Sequence, residues 1–137
     1  MFFNSYYSKQ HKVFISHAWR YNNDYERIVS FLNQSGIKYI NYSVPKSDAY
    51  PPGTDLKAAL REQVRQASVV IIIGGMYAHY SGWINYEIKV AKSYGKKIIG
   101  VRPWGSERMP VVVQEASDVI VGWQMQSIAN AIKELDK

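Results

Sequence analysis

The sequence predicts a three-layer α/β fold, in which a parallel sheet of five strands carries helices on both faces. Short apolar runs alternate along the 137 residues with segments whose apolar residues recur at helical spacing. The longest run, residues 69–73 (VVIII), contains no polar residue, as expected of a central strand that helices cover on both faces. Strands that alternate with helices through short connections indicate right-handed crossovers and therefore a parallel sheet.

The elements follow in order from these two signals. Strands are expected at residues 12–16, 37–42, 68–74, 97–101 and 118–121. Helices are expected where apolar residues lie three or four positions apart. These apolar sets are Tyr25, Ile28, Val29 and Leu32, then Leu56, Leu60 and Val64, then Ile84, Ile88 and Ala91, and finally Met125, Ile128, Ile132 and Leu135. This succession favours a flavodoxin-like arrangement with strand order 2-1-3-4-5.

Capping and breaking residues set several boundaries. Residues 23–26 (NDYE) have capping-box spacing, and Gly36 suits the C-terminal cap of the helix that starts there. Thr54 can cap the second helix, and the third is expected to end near Gly95. Three prolines and a glycine break residues 43–53 (SVPKSDAYPPG) into a loop, and a second proline-containing loop follows strand four.

Composition limits the function classes. The chain has a formal net charge of +6 and no cysteine, which excludes a disulfide framework, a thiol nucleophile and a cysteine-ligated metal. The basic balance suits an anionic small molecule, nucleic acid or an acidic protein, although the cations are scattered. We expect an N-terminal extension over residues 1–11 and a single domain over residues 12–137. No apolar run reaches membrane-spanning length and residues 1–10 lack signal-peptide features, so we expect a cytoplasmic protein without membrane contact.

The topology predicts where a site lies. In an open parallel sheet of this order, ligands bind beyond the carboxyl ends of the strands, at the switch point between strands one and three. Residues 16–19 (SHAW) and 74–77 (GGMY) leave the sheet there. Glu87 lies early in the helix after strand three, and the loop that holds Asp48 and Tyr50 follows strand two at the same edge. Four separate stretches therefore converge on one edge.

Several chemistries are excluded by what this edge lacks. A phosphate-accepting receiver needs an aspartate at the end of strand three, where residues 74–75 are both glycine. A flavin phosphate loop would be rich in Ser, Thr and Gly, but residues 17–24 (HAWRYNND) are bulky and aromatic. Neither G-x-G-x-x-G nor a P-loop occurs, and the three histidines lack metal-ligand spacing, so no metal site is expected. Side chains of adjacent Ser16 and His17 diverge on an extended segment, which argues against a Ser-His nucleophile.

Glu87 is out of place on the apolar face of the third helix, one turn after Trp83. A helix that needs only packing would carry an apolar residue there, because a buried carboxylate without partners is costly. Glu87 therefore either lines a cleft or is a carboxylate near the helix N-terminus that the dipole and a local hydrogen bond satisfy. Trp83, taken alone, is more often a core residue than a platform for a ligand.

Three short motifs, in this order, resemble those of TIR domains. Residues 13–17 (VFISH) look like the opening FxSxx strand, and residues 83–88 (WINYEI) look like the W-x-x-x-E helix. Residues 95–101 (GKKIIGV) fit the segment that follows. From about residue 12 onward, the chain resembles the TIR-like family that includes the Thoeris anti-phage (ThsB-type) sensor proteins.

The resemblance implies a flavodoxin-like fold and, as in active members of the family, cleavage of the nicotinamide–ribose bond of NAD. It maps the catalytic glutamate to Glu87 and the preceding aromatic residue to Trp83. The proline-rich loop over residues 44–53 lies where TIR domains carry the mobile loop that gates the site. Residues 18–20 (AWR) depart from the basic or hydroxyl-rich residues usual after strand one. The floor of the nucleotide pocket maps to Phe14, Ser16 and His17.

The chemistry of a carboxylate fits this assignment. Nicotinamide in NAD is a cationic pyridinium that leaves as a neutral base, so one carboxylate near the ribose is enough to bind its hydroxyls and stabilise oxocarbenium-like charge. Arg20 or Lys46 can meet the pyrophosphate, and aromatic residues can stack on nicotinamide or adenine. The substrate-binding residues expected on these grounds are Phe14, Ser16, His17, Trp19, Asp48, Tyr50, Tyr77 and Trp83.

The expected function is a TIR-like NAD nucleosidase that makes an ADP-ribose-derived signal in bacterial anti-phage defence, with NAD as substrate and no permanently bound cofactor. Expected partners are a second copy or another TIR domain, a phage protein as trigger, and a downstream effector of the nucleotide; nucleic acid is not expected. Two alternatives stay open, a non-catalytic TIR-like interaction module and a nucleotide-binding domain without turnover. His17 also suits ordering of its loop, and Asp48 and Tyr50 also suit a loop that is simply mobile.

Overall fold

The computed structural model describes residues 9–16, 23–43, 53, 55–105 and 108–137, apart from the side chains of residues 78 and 79. Strands β1 to β5 are His11–Ile15, Tyr39–Asn41, Val69–Ile73, Lys97–Val101 and Val119–Val121. Helices α1 to α5 are Asn23–Ser35, Leu56–Gln66, Tyr77–Ser93, Val111–Ala116 and Met125–Leu135. A 3₁₀ turn, Gly74–Met76, joins β3 to α3.

The five strands form one parallel sheet in the order β2-β1-β3-β4-β5, which confirms the three-layer flavodoxin-like fold predicted from the sequence. β1 pairs on both sides, since Val13 is opposite Asn41 in β2 and opposite Val69 in β3. β3 pairs along its whole length with β4 on its other side. The carboxyl ends of β1 and β3 therefore lie side by side at the switch point, where the sequence predicts the site.

The core lies on both faces of the sheet. All five residues of β3 are buried, as predicted for a central strand. α1 packs against α5, whereas α3 packs against both α2 and α4. Right-handed crossovers place these two groups of helices on opposite faces. Each of the four predicted helices buries its apolar stripe, as shown by the complete burial of Ile28, Leu60, Ile84 and Ile132.

Two helix features differ from the sequence prediction. Asp55, rather than Thr54, is the N-cap of α2, and its Oδ1 atom accepts a hydrogen bond of 3.1 Å from the backbone N–H of Ala58. Asp and Thr are both good N-caps, so the sequence alone does not separate two neighbours of these types. α4 has no counterpart in the prediction, because it is short and begins with three valines, whose β-branched side chains favour strands.

The strands lie close to their predicted positions. β1 starts at His11, the last residue of the expected N-terminal extension, and β2 is confined to Tyr39–Asn41 within the expected 37–42. β4 coincides with the predicted residues 97–101. Among the described residues, no helix combines the length and apolar character that crossing a membrane requires.

A close approach at the end of β3 fixes the connection between β4 and α4. A Cβ atom added at Gly74 would lie 2.7 Å from the Sδ atom of Met109 and 2.9 Å from the carbonyl oxygen of Val101. The backbone of β4 cannot move away without losing its pairing with β3, so this position requires glycine. A Cβ at Gly75 would in turn lie 3.6 Å from the Cα atom of Pro103. That distance is an ordinary van der Waals contact, so Gly74 is the residue whose lack of a side chain brings the β4–α4 connection against the end of β3.

Candidate active site at the carboxyl ends of β1 and β3

Ser16 follows β1 directly and is fully buried at the carboxyl end of the strand. Its backbone N–H donates to the carbonyl oxygen of Ile71 in β3 at 2.8 Å, which continues the β1–β3 ladder by one residue. The preceding residue, Ile15, donates its N–H to the Oγ atom of Ser43 at 3.0 Å. These two hydrogen bonds fix the backbone that carries the Ser16 side chain.

Glu87 lies on α3 with 1% of its surface exposed. Its Oε1 atom accepts a hydrogen bond of 2.8 Å from the Oγ atom of Ser16. Ile84, Ile88 and Ala91 are buried and hold this face of α3 against the core. The predicted convergence of Ser16 and Glu87 on one edge of the sheet is therefore confirmed, while their roles in binding and catalysis stay predictions.

Burial determines the protonation of Glu87. Loss of hydration disfavours the carboxylate and raises the pKa of Glu87 from 4.5 to about 8, although the hydrogen bond from Ser16 acts in the opposite direction. Among the described residues, no cationic side chain forms a salt bridge with Glu87. At pH 7 the carboxyl group is therefore mostly protonated, with Oε1 bonded to Ser16 and Oε2 available to carry the proton.

α3 is kinked at Tyr80. The kink separates the first turn, which follows β3, from the later turns that carry Trp83 and Glu87. Tyr80 has φ −133° and ψ 32°, outside the helical region, so the regular helix that carries Trp83 and Glu87 begins after this residue. Trp83 is half-buried and packs against the core one turn before Glu87. Trp83 thus lies between Glu87 and the N-terminal end of α3, which faces the strand-end edge.

The structure also places two further residues of the predicted set, Tyr77 and Phe14. The hydroxyl group of Tyr77 donates to the Oδ1 atom of Asn85, an exposed residue of α3, at 3.1 Å. Phe14 is fully buried in the hydrophobic core. Contacts of Tyr77 and Phe14 with a substrate therefore stay predictions.

The remaining predicted site residues lie outside the described part of the chain. They are His17, Trp19, Asp48 and Tyr50, together with Arg20 and Lys46, which the sequence suggests for the pyrophosphate. Of the expected gating loop over residues 44–53, the structure describes Gly53. The roles of all these residues stay predictions.

Two cations that the sequence analysis did not single out contact α3 beside Trp83. The Nη1 atom of Arg61 donates to the hydroxyl oxygen of Tyr86 at 2.6 Å, and the Nζ atom of Lys57 lies 5.0 Å from the centroid of the Tyr86 ring. The ring of Tyr86 lies 6.3 Å from that of Trp83. The spacing of four residues between Lys57 and Arg61 is visible in the sequence. Their contact with Tyr86, on another helix, is not.

A serine hydroxyl and a glutamic acid carboxyl define the chemistry that the described side chains offer at this edge. Such a pair can bind ribose hydroxyls, accept or donate a proton, or stabilise a developing cation. In the part of the chain that the structure describes, no group of three or more His, Cys, Asp or Glu residues could hold a metal ion.

Solved structures share the fold of this chain. The Clostridium botulinum CMP N-glycosidase BcmB aligns with a TM-score of 0.54 and 16% identity, over 89% of this chain and 98% of its own. A prokaryotic SEFIR domain aligns with a TM-score of 0.52 and 19% identity, over 92% of this chain and 96% of its own. At these identities the likeness shows the fold alone. No curated protein matches the chain.

A match that is longer than the three short motifs identifies the family of the chain. A family model described as Thoeris protein ThsB, TIR-like domain, matches residues 14–108, more than half of the 137 residues. The matched range contains both Ser16 and Glu87 and confirms the resemblance that the motifs indicate. The chain therefore belongs to the TIR-like domain family of Thoeris ThsB proteins.

Proposed function

We propose that this chain cleaves the bond between nicotinamide and ribose in NAD and so produces an ADP-ribose-derived signalling nucleotide in anti-phage defence. The observation that carries the proposal is the buried hydrogen bond of 2.8 Å between Ser16 and Glu87 at the switch point of the sheet. Membership of the Thoeris ThsB family supports it. The fold shared with BcmB, described as a CMP N-glycosidase, supports it further, because CMP and NAD both join ribose to a heterocycle through an N-glycosidic bond.

Cleavage of NAD needs no proton on the leaving group. The bond between ribose C1′ and nicotinamide N1 breaks with both electrons on nitrogen, so the pyridinium cation departs as neutral nicotinamide. Positive charge then develops on C1′ and the ring oxygen, and the ionised form of buried Glu87 stabilises it with little screening by water. Water, or a hydroxyl group of the nucleotide itself, adds to C1′ and releases one proton.

The raised pKa of Glu87 gives this reaction a defined pH dependence. With a pKa of about 8, Glu87 is mostly protonated in the free protein at pH 7. The cationic nicotinamide ring of NAD, placed near Glu87, favours the carboxylate and lowers the pKa of Glu87 in the complex. We therefore expect kcat/KM, which reports on the free protein, to rise with pH along a limb near pH 8, and kcat to rise at lower pH.

Ser16 holds one carboxyl oxygen of Glu87, which directs the other toward the substrate. The hydrogen bond from Ser16 lowers the pKa of Glu87, so its removal in Ser16→Ala raises that pKa further. We expect the limb of kcat/KM to move to higher pH in Ser16→Ala, measured as initial rates of nicotinamide release. Ser16→Thr keeps the hydroxyl group and is the matched control, and a limb that does not move in Ser16→Ala contradicts this role.

Access to Glu87 requires a change in the structure around it, because its carboxyl group is buried. Turnover in this proposal depends on an event that opens the site, either assembly with another copy or TIR domain, or contact with a phage protein. Assays therefore include high protein concentration and phage components. The nucleotide product acts on a downstream effector in the cytoplasm.

A second candidate function, cleavage of a nucleoside monophosphate such as CMP, is favoured by the protonated state of Glu87. Cytosine leaves readily only when it receives a proton, and a carboxyl group with a raised pKa can supply one from Oε2. The pH dependence is then reversed, because kcat/KM falls when Glu87 loses its proton near pH 8. The sign of the pH limb thus separates the two reactions.

One experiment tests both candidates. The protein is incubated with NAD and, separately, with CMP, and free nicotinamide or cytosine is followed by chromatography. The proposal predicts nicotinamide release and a loss of about a hundredfold or more in Glu87→Gln, which keeps the size and the hydrogen bond from Ser16. Cytosine release without nicotinamide supports the second candidate. Release of neither base, even with phage components, contradicts both and favours the non-catalytic interaction module.

A further inference from the structure

The surface where α2 meets α3 carries positive charge that the fold does not require. Lys57 and Arg61 are both exposed and lie four residues apart on α2, a spacing at which like charges destabilise a helix. Lys57 also lies in the first turn of α2, where the helix dipole disfavours a cation. No acidic residue occupies that turn. The stability of α2 as a helix therefore gives no reason for this arrangement.

Both cations meet the aromatic ring of Tyr86 rather than an acid. Arg61 donates to the Tyr86 hydroxyl oxygen at 2.6 Å, and the Nζ atom of Lys57 lies 5.0 Å from the ring centroid. None of the salt bridges among the described residues includes Lys57 or Arg61. An arginine has five N–H donors and a lysine has three. One of these, on Arg61, donates to Tyr86. We refer to Lys57, Arg61 and Tyr86 as the basic cluster.

The basic cluster lies beside the candidate active site. The rings of Tyr86 and Trp83 are 6.3 Å apart, and Trp83 lies one turn before Glu87 on the same helix. At 100° per residue, Trp83 falls between Tyr86 and Glu87 around the helix axis. α2 and α3 both start at the edge of the sheet where the strands end, because each follows a strand of the parallel sheet. The cluster therefore lies beside the turn of α3 that carries Trp83 and Glu87.

We propose that the basic cluster binds the phosphate groups of the nucleotide substrate. This inference takes the identity of the substrate from the proposed function. It adds that the site recognises the phosphate groups of that substrate. The phosphate of a 5′-nucleotide is attached through C5′ to C4′, across the ring oxygen from C1′, which carries the glycosidic bond that Glu87 would face. Arg61 binds phosphate oxygens through its planar fork of donors and Lys57 as a point charge. The site then selects nucleotides over free nucleosides.

Tyr86 prepares the cluster for this role. Its ring face attracts the Lys57 ammonium group, and its hydroxyl oxygen fixes one nitrogen of Arg61, so both cations lie over α3 before a ligand arrives. Holding two like charges on one residue keeps the local potential positive, and a phosphate ligand relieves their repulsion. The cluster thus favours an anion with at least one negative charge near Trp83.

Calorimetry at high protein concentration and with phage components, the conditions expected to open the site, tests the inference with NAD, nicotinamide riboside and inorganic pyrophosphate. It uses the Glu87→Gln background, which leaves the substrate uncleaved. Adding Lys57→Ala and Arg61→Ala is expected to weaken NAD binding by about tenfold or more, since each lost charged hydrogen bond is substantial. Nicotinamide riboside has no phosphate, so its affinity is expected to stay the same. The matched control, Lys89→Ala with Lys92→Ala, removes the same charge from exposed positions of α3 and is expected to leave NAD affinity within about twofold.

Several results overturn the inference. They are unchanged NAD affinity in the Lys57/Arg61 variant, an equal loss in the control, an equal loss for nicotinamide riboside, or no NAD binding in the Glu87→Gln background. Cluster-dependent binding of pyrophosphate without NAD overturns it too, because the cluster is then a general anion site. If the double variant does not fold, Lys57→Gln and Arg61→Gln are compared singly. Protein that binds NAD through the cluster but releases no nicotinamide contradicts the proposed function and keeps this inference.

Discussion

Ionisation of Glu87 is costly because the side chain is buried and its hydrogen-bond partner among the described residues is a neutral hydroxyl group. Burial raises the pKa of Glu87 to about 8, so between pH 4.5 and 8 the folded state keeps a proton that the unfolded chain has released. The free energy of unfolding therefore falls as the pH rises through this window. Active-site acids whose pKa is raised by burial destabilise the folded state in the same way.

Substitution of Glu87 by glutamine tests this cost directly. Glutamine cannot ionise and keeps an oxygen that accepts the hydrogen bond from Ser16, so Glu87→Gln is expected to be as stable as the wild type near pH 5. Near pH 9 it is expected to be more stable by on the order of a few kcal/mol, measured by denaturant unfolding at each pH. Glu115→Gln at an exposed position is the control. A constant difference between Glu87→Gln and wild type at all pH values contradicts the predicted ionisation.

The sequence identifies Glu87 because a carboxylate on an apolar helix face breaks the pattern of its neighbours. Topology brings Ser16 to the same edge, because residues after β1 and early in α3 both leave the sheet at the switch point. The direct hydrogen bond depends on side-chain directions across the sheet, which periodicity does not give. The contacts of Lys57 and Arg61 with Tyr86 are unpredictable for the same reason, since they depend on the packing of α2 on α3.

At the scale of elements, a stack of aromatic rings joins α1 to the connections that follow β4 and β5. The rings of Trp104 and Trp123 stack with centroids 4.5 Å apart, and the Arg27 guanidinium lies 4.5 Å from the centroid of the Trp104 ring. Trp104 Nε1 donates to the Oδ1 atom of Asp24 at 3.2 Å, and Trp123 Nε1 donates to the carbonyl oxygen of Arg102 at 2.6 Å. These contacts hold the first turns of α1 against the strand-end edge.

Removal of the Trp104 ring is expected to destabilise the protein. Trp104→Ala loses the stacking on Trp123 and the cation–π contact with Arg27, which together contribute about 1–2.5 kcal/mol. Trp104→Phe keeps an aromatic face and is expected to recover part of this loss. Denaturant unfolding measures both variants, and wild-type stability in Trp104→Ala contradicts the structural role of the stack.

The order of the elements is predictable because the central strand is apolar throughout and four helices carry clear apolar stripes. α4 is missed because a turn or two of helix gives too few positions for a period, and its three valines suggest a strand. The kink at Tyr80 comes directly before a Ser-Gly pair at residues 81–82, a combination at which helices often kink. Local sequence thus marks the kink but not α4.

At the scale of the whole molecule, a buried polar group joins the first strand to the end of the last helix. Asp136 accepts hydrogen bonds of 2.9 Å from Lys9 Nζ at Oδ1 and from His11 Nδ1 at Oδ2. Burial acts to raise the pKa of Asp136, but the hydrogen bonds with Lys9 and His11 outweigh it and lower that pKa below 3.8. This contribution to stability is present above the unfolded pKa and is lost as the pH falls through the folded one.

Asp136→Asn is therefore expected to lower the free energy of unfolding by about 1–3 kcal/mol at pH 7, because it removes charged hydrogen bonds. The loss is expected to shrink as the pH falls below about 4, since the unfolded carboxylate takes up a proton there and the folded one does so at still lower pH. Glu134→Gln, which removes an exposed pair with Lys137 at 3.4 Å, is the control and is expected to change little. Thermal melting at several pH values measures both. Equal effects of the two substitutions contradict the role of Asp136.

The pH dependence of kcat/KM for nicotinamide release from NAD tests the central claim most directly, because it depends at once on the substrate, on Glu87 and on its burial. Release is expected to rise with pH along a limb near pH 8 and to disappear in Glu87→Gln. No release at any pH with phage components present contradicts it. Release that falls through pH 8, or that persists in Glu87→Gln, contradicts it equally.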